Sequence, residues 1–191
     1  MNSSSIIFKT LVVLLSIVGV CKCDSSYYLV IANLANSNGD CSNVRNAFSY
    51  QVNTCANGMA TYCSPGDDFG TIAEYFDNDC SSGIQNIITY KIGCDGYSLV
   101  ACQQTPFNNQ SATIYARYDD SACQTEPTFT EAFAVKVCFE GVITTCDDTS
   151  TTITTYENND CSGKSTSLTN TLKTQCHMGT QGYEQSWCSN I

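Results

Sequence analysis

Residues 75–102 read YFDNDCSSGIQNIITYKIGCDGYSLVAC. Three cysteines punctuate the stretch: Cys80, Cys94 fourteen residues on, and Cys102 eight further. Asp77, Asn78 and Asp79 lead into the first of them, and such residues favour turns because their short side chains hydrogen-bond nearby backbone. Residues 84–91 are rich in Ile, Thr and Tyr, which sit well on a pleated surface. Asp95-Gly96 is a hairpin signal, because both residues tolerate the positive φ that a two-residue turn requires. The stretch therefore predicts a loop carrying the first Cys and a strand ending at the second. A tight turn and a strand ending near the third Cys complete it.

The same spacing returns along the chain. Cys41, Cys55 and Cys63 precede this triplet; Cys123, Cys138, Cys146 and then Cys161, Cys176, Cys188 follow it. The first gap is 14 or 15 residues, and the second is 8 except in the last triplet, where it is 12. Tyr75, Tyr118 and Tyr156 each stand five before the first Cys of their copy, with Asn36 in that place in the first copy. Asp40, Asp79 and Asp160 immediately precede that Cys. Asn57-Gly58 repeats the hairpin signal, and Glu140-Gly141 is a weaker form of it. Segments 111–118, 132–138 and 151–156 are rich in Thr, Tyr, Val, Ile and Phe, and no stretch after residue 23 keeps a 3.6-residue apolar period. The expectation is four tandem three-stranded units of about 40 residues, at about 24–65, 66–105, 106–148 and 149–191. About twelve strands are enough for one all-β, disulfide-stapled, sandwich or barrel-like domain over 24–191.

The N-terminus predicts a secretory signal over 1–23. Lys9 precedes a mainly apolar run over 11–20 that is too short to span a bilayer. Cys21 and Cys23 supply small residues at −3 and −1 of a cut before Asp24. Removing the signal takes Lys9, Lys22 and two Cys but no acid, so the net charge moves from −10 to −12 and twelve Cys remain. An even count in an oxidising compartment predicts complete pairing. No second apolar run is long enough to span, so no membrane span is expected. The acidic balance leaves no basic footprint for nucleic acid. A single His, His177, argues against a His-based zinc site.

Three Cys per unit is an odd number, so at least one must pair outside its unit. Side chains alternate faces along a strand, so the second and third Cys flanking each hairpin point to opposite sides. A bridge needs Cα atoms within about 7 Å and converging side chains. The second and third Cys are therefore expected not to bond each other. The first Cys is expected to bond one of them, and the other to leave the unit.

Several residues are candidates for chemistry. Asp77 through Gly83 starts like a calcium loop, with oxygens at alternate positions, but Ser82 holds the place of the required Gly and Ile88 that of the closing Glu. Residues 158–163 place Gly163 correctly, but Thr169 closes the loop. Turn chemistry explains both, and neither a metal nor a cofactor is expected. His177, between Cys176 and Met178, has no nucleophile motif beside it. Paired carboxylates could hydrolyse a glycan, one serving as acid. Glu74, Glu131, Glu140, Glu157 and Glu184 lie in or beside predicted strands, but the sequence does not say which two converge. Trp187, Tyr183, Tyr75, Tyr118 and Tyr156 offer either a sugar-stacking face or core packing. Asn109-Gln110-Ser111 is a glycosylation sequon, and 107–111 reads as an exposed linker.

Tyr156, Cys161 and Gly163 resemble the folded hairpin of βγ-crystallin units, although the later part of each unit does not follow that pattern. A wider resemblance covers the whole mature chain. A short signal, this size, a composition rich in Ser, Thr, Asn and Tyr, and repeated units such as Tyr75/Cys80/Ser81 and Tyr156/Cys161/Ser162 resemble the small secreted cysteine-rich proteins of social amoebae. Within that group the chain most resembles the bacteriolytic (BadA-like) family. The resemblance implies an antibacterial protein, secreted or in an acidic phagosomal or endolysosomal lumen, with bacterial cell-wall or envelope glycans as partners. It supplies no catalytic residue. The alternatives are a non-catalytic extracellular carbohydrate-binding or matrix protein and, third, a calcium-dependent crystallin-like structural protein.

Overall fold

The computed structural model describes residues 26–35, 41–107 and 111–189. The predicted signal, Asn36, Asp40 and Asn109 lie outside them. Among the described residues there are sixteen strands and no helix. The first half contains β1 (Tyr28–Leu34), β2 (Val44–Gln51), β3 (Cys55–Ala56), β4 (Met59–Tyr62), β5 (Phe69–Tyr75), β6 (Ile84–Lys91), β7 (Gly93–Cys94) and β8 (Ser98–Gln103). The second contains β9 (Ala112–Tyr118), β10 (Phe129–Ala134), β11 (Cys138–Phe139), β12 (Val142–Cys146), β13 (Ser150–Tyr156), β14 (Ser165–Thr171), β15 (His177–Gly179) and β16 (Gly182–Ser189).

These strands form one large antiparallel sheet, ordered β7-β8-β1-β2-β10-β9-β16-β15, and two small ones, β3-β4-β5-β6 and β11-β12-β13-β14. The large sheet has two ends and does not close on itself, so the barrel-like alternative is corrected to layered sheets. Its order is the same read outward in either direction from the β2–β10 pair. At that pair Ala47 faces Ala132, Phe48 faces Glu131 and Ser49 faces Thr130.

One face of the large sheet is the main core. Tyr28, Val30, Ala32, Val44, Ala112 and Ile114 are buried there. Each fully buried large aliphatic contributes about 1.5–3 kcal/mol. Phe107 joins this core, and its N–H donates to Ser49 Oγ at 3.0 Å. The segment expected to be an exposed linker thus begins with a buried anchor. The opposite face receives the small sheets. Leu29 and Val100 pack with Ile72 of one and with Cys63 just beyond β4, and Thr113 Oγ1 meets Thr151 Oγ1 of the other at 3.1 Å.

Each expected unit has four strand pieces rather than three. The long strand into the second Cys is broken at Asn53 (φ 59°) in the first unit and at Lys136 (φ 61°) in the third. This left-handed residue turns the chain out of the large sheet and into a small one. In consequence β3 and β4 share a sheet with β5 and β6, while β1 and β2 share one with β7 and β8.

That exchange decides the disulfides. The bridges are Cys41–Cys94, Cys55–Cys80 and Cys63–Cys102 in the first half. Cys123–Cys176, Cys138–Cys161 and Cys146–Cys188 repeat the pattern in the second. The second and third Cys of a unit do not bond each other, as expected. The expected bridge within a unit is overturned, because each Cys faces a strand of the neighbouring unit. Nor do the bridges link all four segments: every one lies within a half. One turn also differs. Asn57-Gly58 and Glu140-Gly141 are two-residue turns with positive φ throughout. At Asp95, however, Cys94 pairs with Leu99 across a four-residue loop, because the Asp95 carboxylate accepts the N–H groups of Tyr97 and Ser98.

Candidate functional site

Tyr115 and Arg117 follow Thr113 at two-residue spacing along β9 and so share its face, which carries the small sheets. Register brings three more polar side chains there. Glu131 of β10 lies opposite Tyr115, Glu184 of β16 lies opposite Arg117, and His177 of β15 lies opposite Glu184. The five come from four adjacent strands of one rigid sheet.

Their environments differ. Burial pushes the Glu131 carboxyl up, and the nearby Arg117 charge offsets part of the rise. Burial also pushes the Tyr115 phenol up to about 12, reinforced by its hydrogen bond to Glu184 and by that carboxylate's charge. Tyr115 is thus a neutral donor to Glu184 at every physiological pH. The Arg117 guanidinium lies 4.4 Å from the Phe129 ring centroid and 5.8 Å from that of Tyr115, a cation held over aromatic faces. Its buried Nε has no hydrogen-bond partner among the described residues. His177 Nε2 stands 3.8 Å from Glu184 Oε2, and its ring borders a groove of about 450 Å³ formed with Leu172, Lys173, Thr174 and Gln175. The arrangement offers two carboxyls in unlike settings. One is inclined to keep its proton in mild acid; the other is held by a hydroxyl beside an imidazole.

The remaining sequence candidates disperse. Glu74 on β5 accepts from Asn86 Nδ2 at 3.0 Å. Glu140 is the first residue of a tight turn (φ 47°), and Glu157 is exposed beyond β13. Tyr75, Tyr118 and Tyr156 share a sequence phase but fall in three different sheets, so they make no common sugar-stacking face. Tyr75 meets the Tyr62 hydroxyl at 3.3 Å, Tyr118 is buried opposite Tyr183, and Trp187 packs on the main core.

The Asp clusters serve their own loops. Asp77 accepts the Ser81 N–H at 3.0 Å and its hydroxyl at 2.9 Å, and Asp160 accepts the Ser162 N–H at 3.1 Å. Asp120 accepts from the Thr125 hydroxyl and from the N–H groups of Thr125, Gln124 and Ala122, which hold its carboxyl down at about 2. The first Cys of these loops takes the left-handed conformation, with φ of 56°, 51° and 61° at Cys80, Cys123 and Cys161. Among the described residues no group of three or more His, Cys, Asp or Glu is placed to hold a metal. No helix among them is long and apolar enough to cross a membrane.

Sequence reasoning passed over Tyr115, Arg117 and Arg45. A usable signal existed: Arg45 and Arg117 are the chain's two arginines, each inside a strand of otherwise uncharged residues. Both stand over rings, Arg45 at 3.6 Å from the Phe139 centroid.

No family model matches the chain, and no curated protein or solved structure matches it.

Proposed function

We propose that the protein is an antibacterial, bacteriolytic protein that works in an acidic lumen, secreted or phagosomal, on the glycans of bacterial walls or envelopes. The observation that carries this is the pair Glu131 and Glu184, two carboxyls in contrasting environments on one sheet face, linked through Tyr115 and Arg117. Glycoside hydrolysis asks for such a pair. Glu131, inclined to keep its proton, donates it to the leaving glycosidic oxygen. Glu184, fixed by the Tyr115 hydroxyl, faces the positive charge that develops on the sugar ring, and water captures that cation to complete hydrolysis. A shallow recess lined by His177 lies at the Glu184 edge of this face, and neither carboxyl lines it.

The scaffold suits that setting. Six disulfides are compatible with a secreted or lumenal protein. Turns held by low-pKa Asp carboxylates, as at Asp120, keep their hydrogen bonds in mild acid.

Replacing Glu131→Gln and Glu184→Gln separately tests the assignment. Each is expected to lower the initial rate of wall-glycan clearing at about pH 4.5 by at least about 100-fold, with the fold intact by circular dichroism. Two variants as active as the parent would overturn it. A parent that binds wall glycans without clearing them would favour the non-catalytic carbohydrate-binding alternative.

A further inference from the structure

An apolar cavity of about 320 Å³ opens between the large sheet and the second small sheet. Phe133 bounds it from β10; Phe139, Val142 and Ile153 bound it from β11, β12 and β13. Its one charged lining residue is Arg45 of β2, whose guanidinium lies over the Phe139 ring. No carboxylate lines it among the described residues.

The matching space in the first half is filled by protein. Counted outward along the ladders from the β2–β10 pair, Leu29, Met59, Ile72 and Tyr90 hold the places of Thr113, Val142, Ile153 and Asn170. Leu29 and Ile72 form a buried cluster there, with Met59 and Tyr90 packed against it. Leu29 even occupies the space a side chain at Gly70 would need. In the second half three of those four side chains are smaller or polar. Thr151, at the place of Gly70, restores some bulk but is bound to Thr113. The result is measurable at one position: Ile72 is 4% exposed, whereas Ile153 is 36% exposed and its neighbour Phe133 41%. Apolar walls that the other half covers with its own side chains are left to water here, which is unfavourable unless something else fills the space.

We propose that this cavity binds a compact apolar monocarboxylate, its body between the sheets and its carboxylate on Arg45. Guanidinium matches carboxylate geometry through two parallel N–H donors. The volume is at the low end of the roughly 300–1,000 Å³ usual for small-molecule sites, so a single short chain or ring fits and a two-chain lipid does not. The cavity shares the Tyr115 side chain with the lytic site, but neither Glu131 nor Glu184 lines it, so the two proposals are tested by different variants.

Decanoate and decanol, titrated calorimetrically into the disulfide-intact secreted protein, test it. Decanoate is expected to saturate one site, to raise the melting temperature, and to bind at least about tenfold more tightly than decanol. Arg45→Gln should bring decanoate down to the level of decanol while leaving decanol binding unchanged. Ile153→Trp fills the space and should abolish binding of both; Val142→Phe is the second filling variant should the first not fold. Absence of saturable decanoate binding, equal affinity for acid and alcohol, or undiminished binding in a folded filling variant would each overturn the proposal.

Discussion

Asp120 and Glu131 respond to acid in opposite directions. Hydrogen bonds hold the folded Asp120 carboxyl at about 2, below the ordinary 3.8. Its stabilising contribution is therefore complete above the unfolded value and lost only as pH falls through about 2. Asp120→Ala should lower the melting temperature by a similar amount from pH 7 to about pH 5, and the difference should fade as pH falls from about 4 towards 2. A difference that vanished by pH 5 would contradict the loop geometry. Glu131 is raised above the ordinary 4.5 by burial, so its contribution is present below that value and lost as pH rises through the folded value. Glu131→Gln should consequently melt higher than the parent at pH 7, with the gain disappearing below about pH 4. The same substitution is expected to abolish lysis, so stability and activity part company at one residue.

Turns and bridges carry the element scale. Gly58 sits at φ 75°, and a Cβ there would stand 2.6 Å from the Asp77 carbonyl oxygen; Gly141 repeats this at φ 78° and 2.9 Å from that of Asn158. Gly66 has φ 92° but open space around it. Gly66→Ala should cost about 1–2 kcal/mol from backbone strain alone, and Gly58→Ala distinctly more, as read by denaturant unfolding. These hairpins were legible in the sequence because Asn-Gly dictates its own turn. The facing of the second and third Cys was legible for the same reason, since a strand alternates sides whatever it pairs with. The bridge partners were not legible. They depend on single left-handed residues, Asn53 and Lys136, that send each chain segment into the neighbouring sheet, and neither residue type announces that role. Non-reducing peptide mapping should recover Cys55–Cys80 and Cys138–Cys161. A Cys94–Cys102 peptide would contradict the register on which both the fold and the site rest.

At the scale of the whole molecule, the halves are joined by main-chain hydrogen bonds of β2 and β10 and by the core around Ala47 and Ala132, not by cysteines. Proteolytic cutting between Phe107 and Ser111 should leave a native complex that separates into two fragments in denaturant without reductant. Persistence of a single covalent species would show bridges across the halves. The odd Cys count per unit correctly required bridges between units. It could not tell pairing by twos from pairing across all four, because strand order decides that, and strand order is a long-range property. The site was likewise half legible. Glu131, Glu184 and His177 were among the candidates, but only register showed that they share a face while Glu74, Glu140 and Glu157 do not. Lysis in an acidic lumen is read out by the turbidity of bacterial suspensions mixed with purified protein lacking residues 1–23. Clearing at about pH 4.5 that is much slower at pH 7 is the predicted result. Turbidity unchanged at both, across several bacterial species, would contradict it.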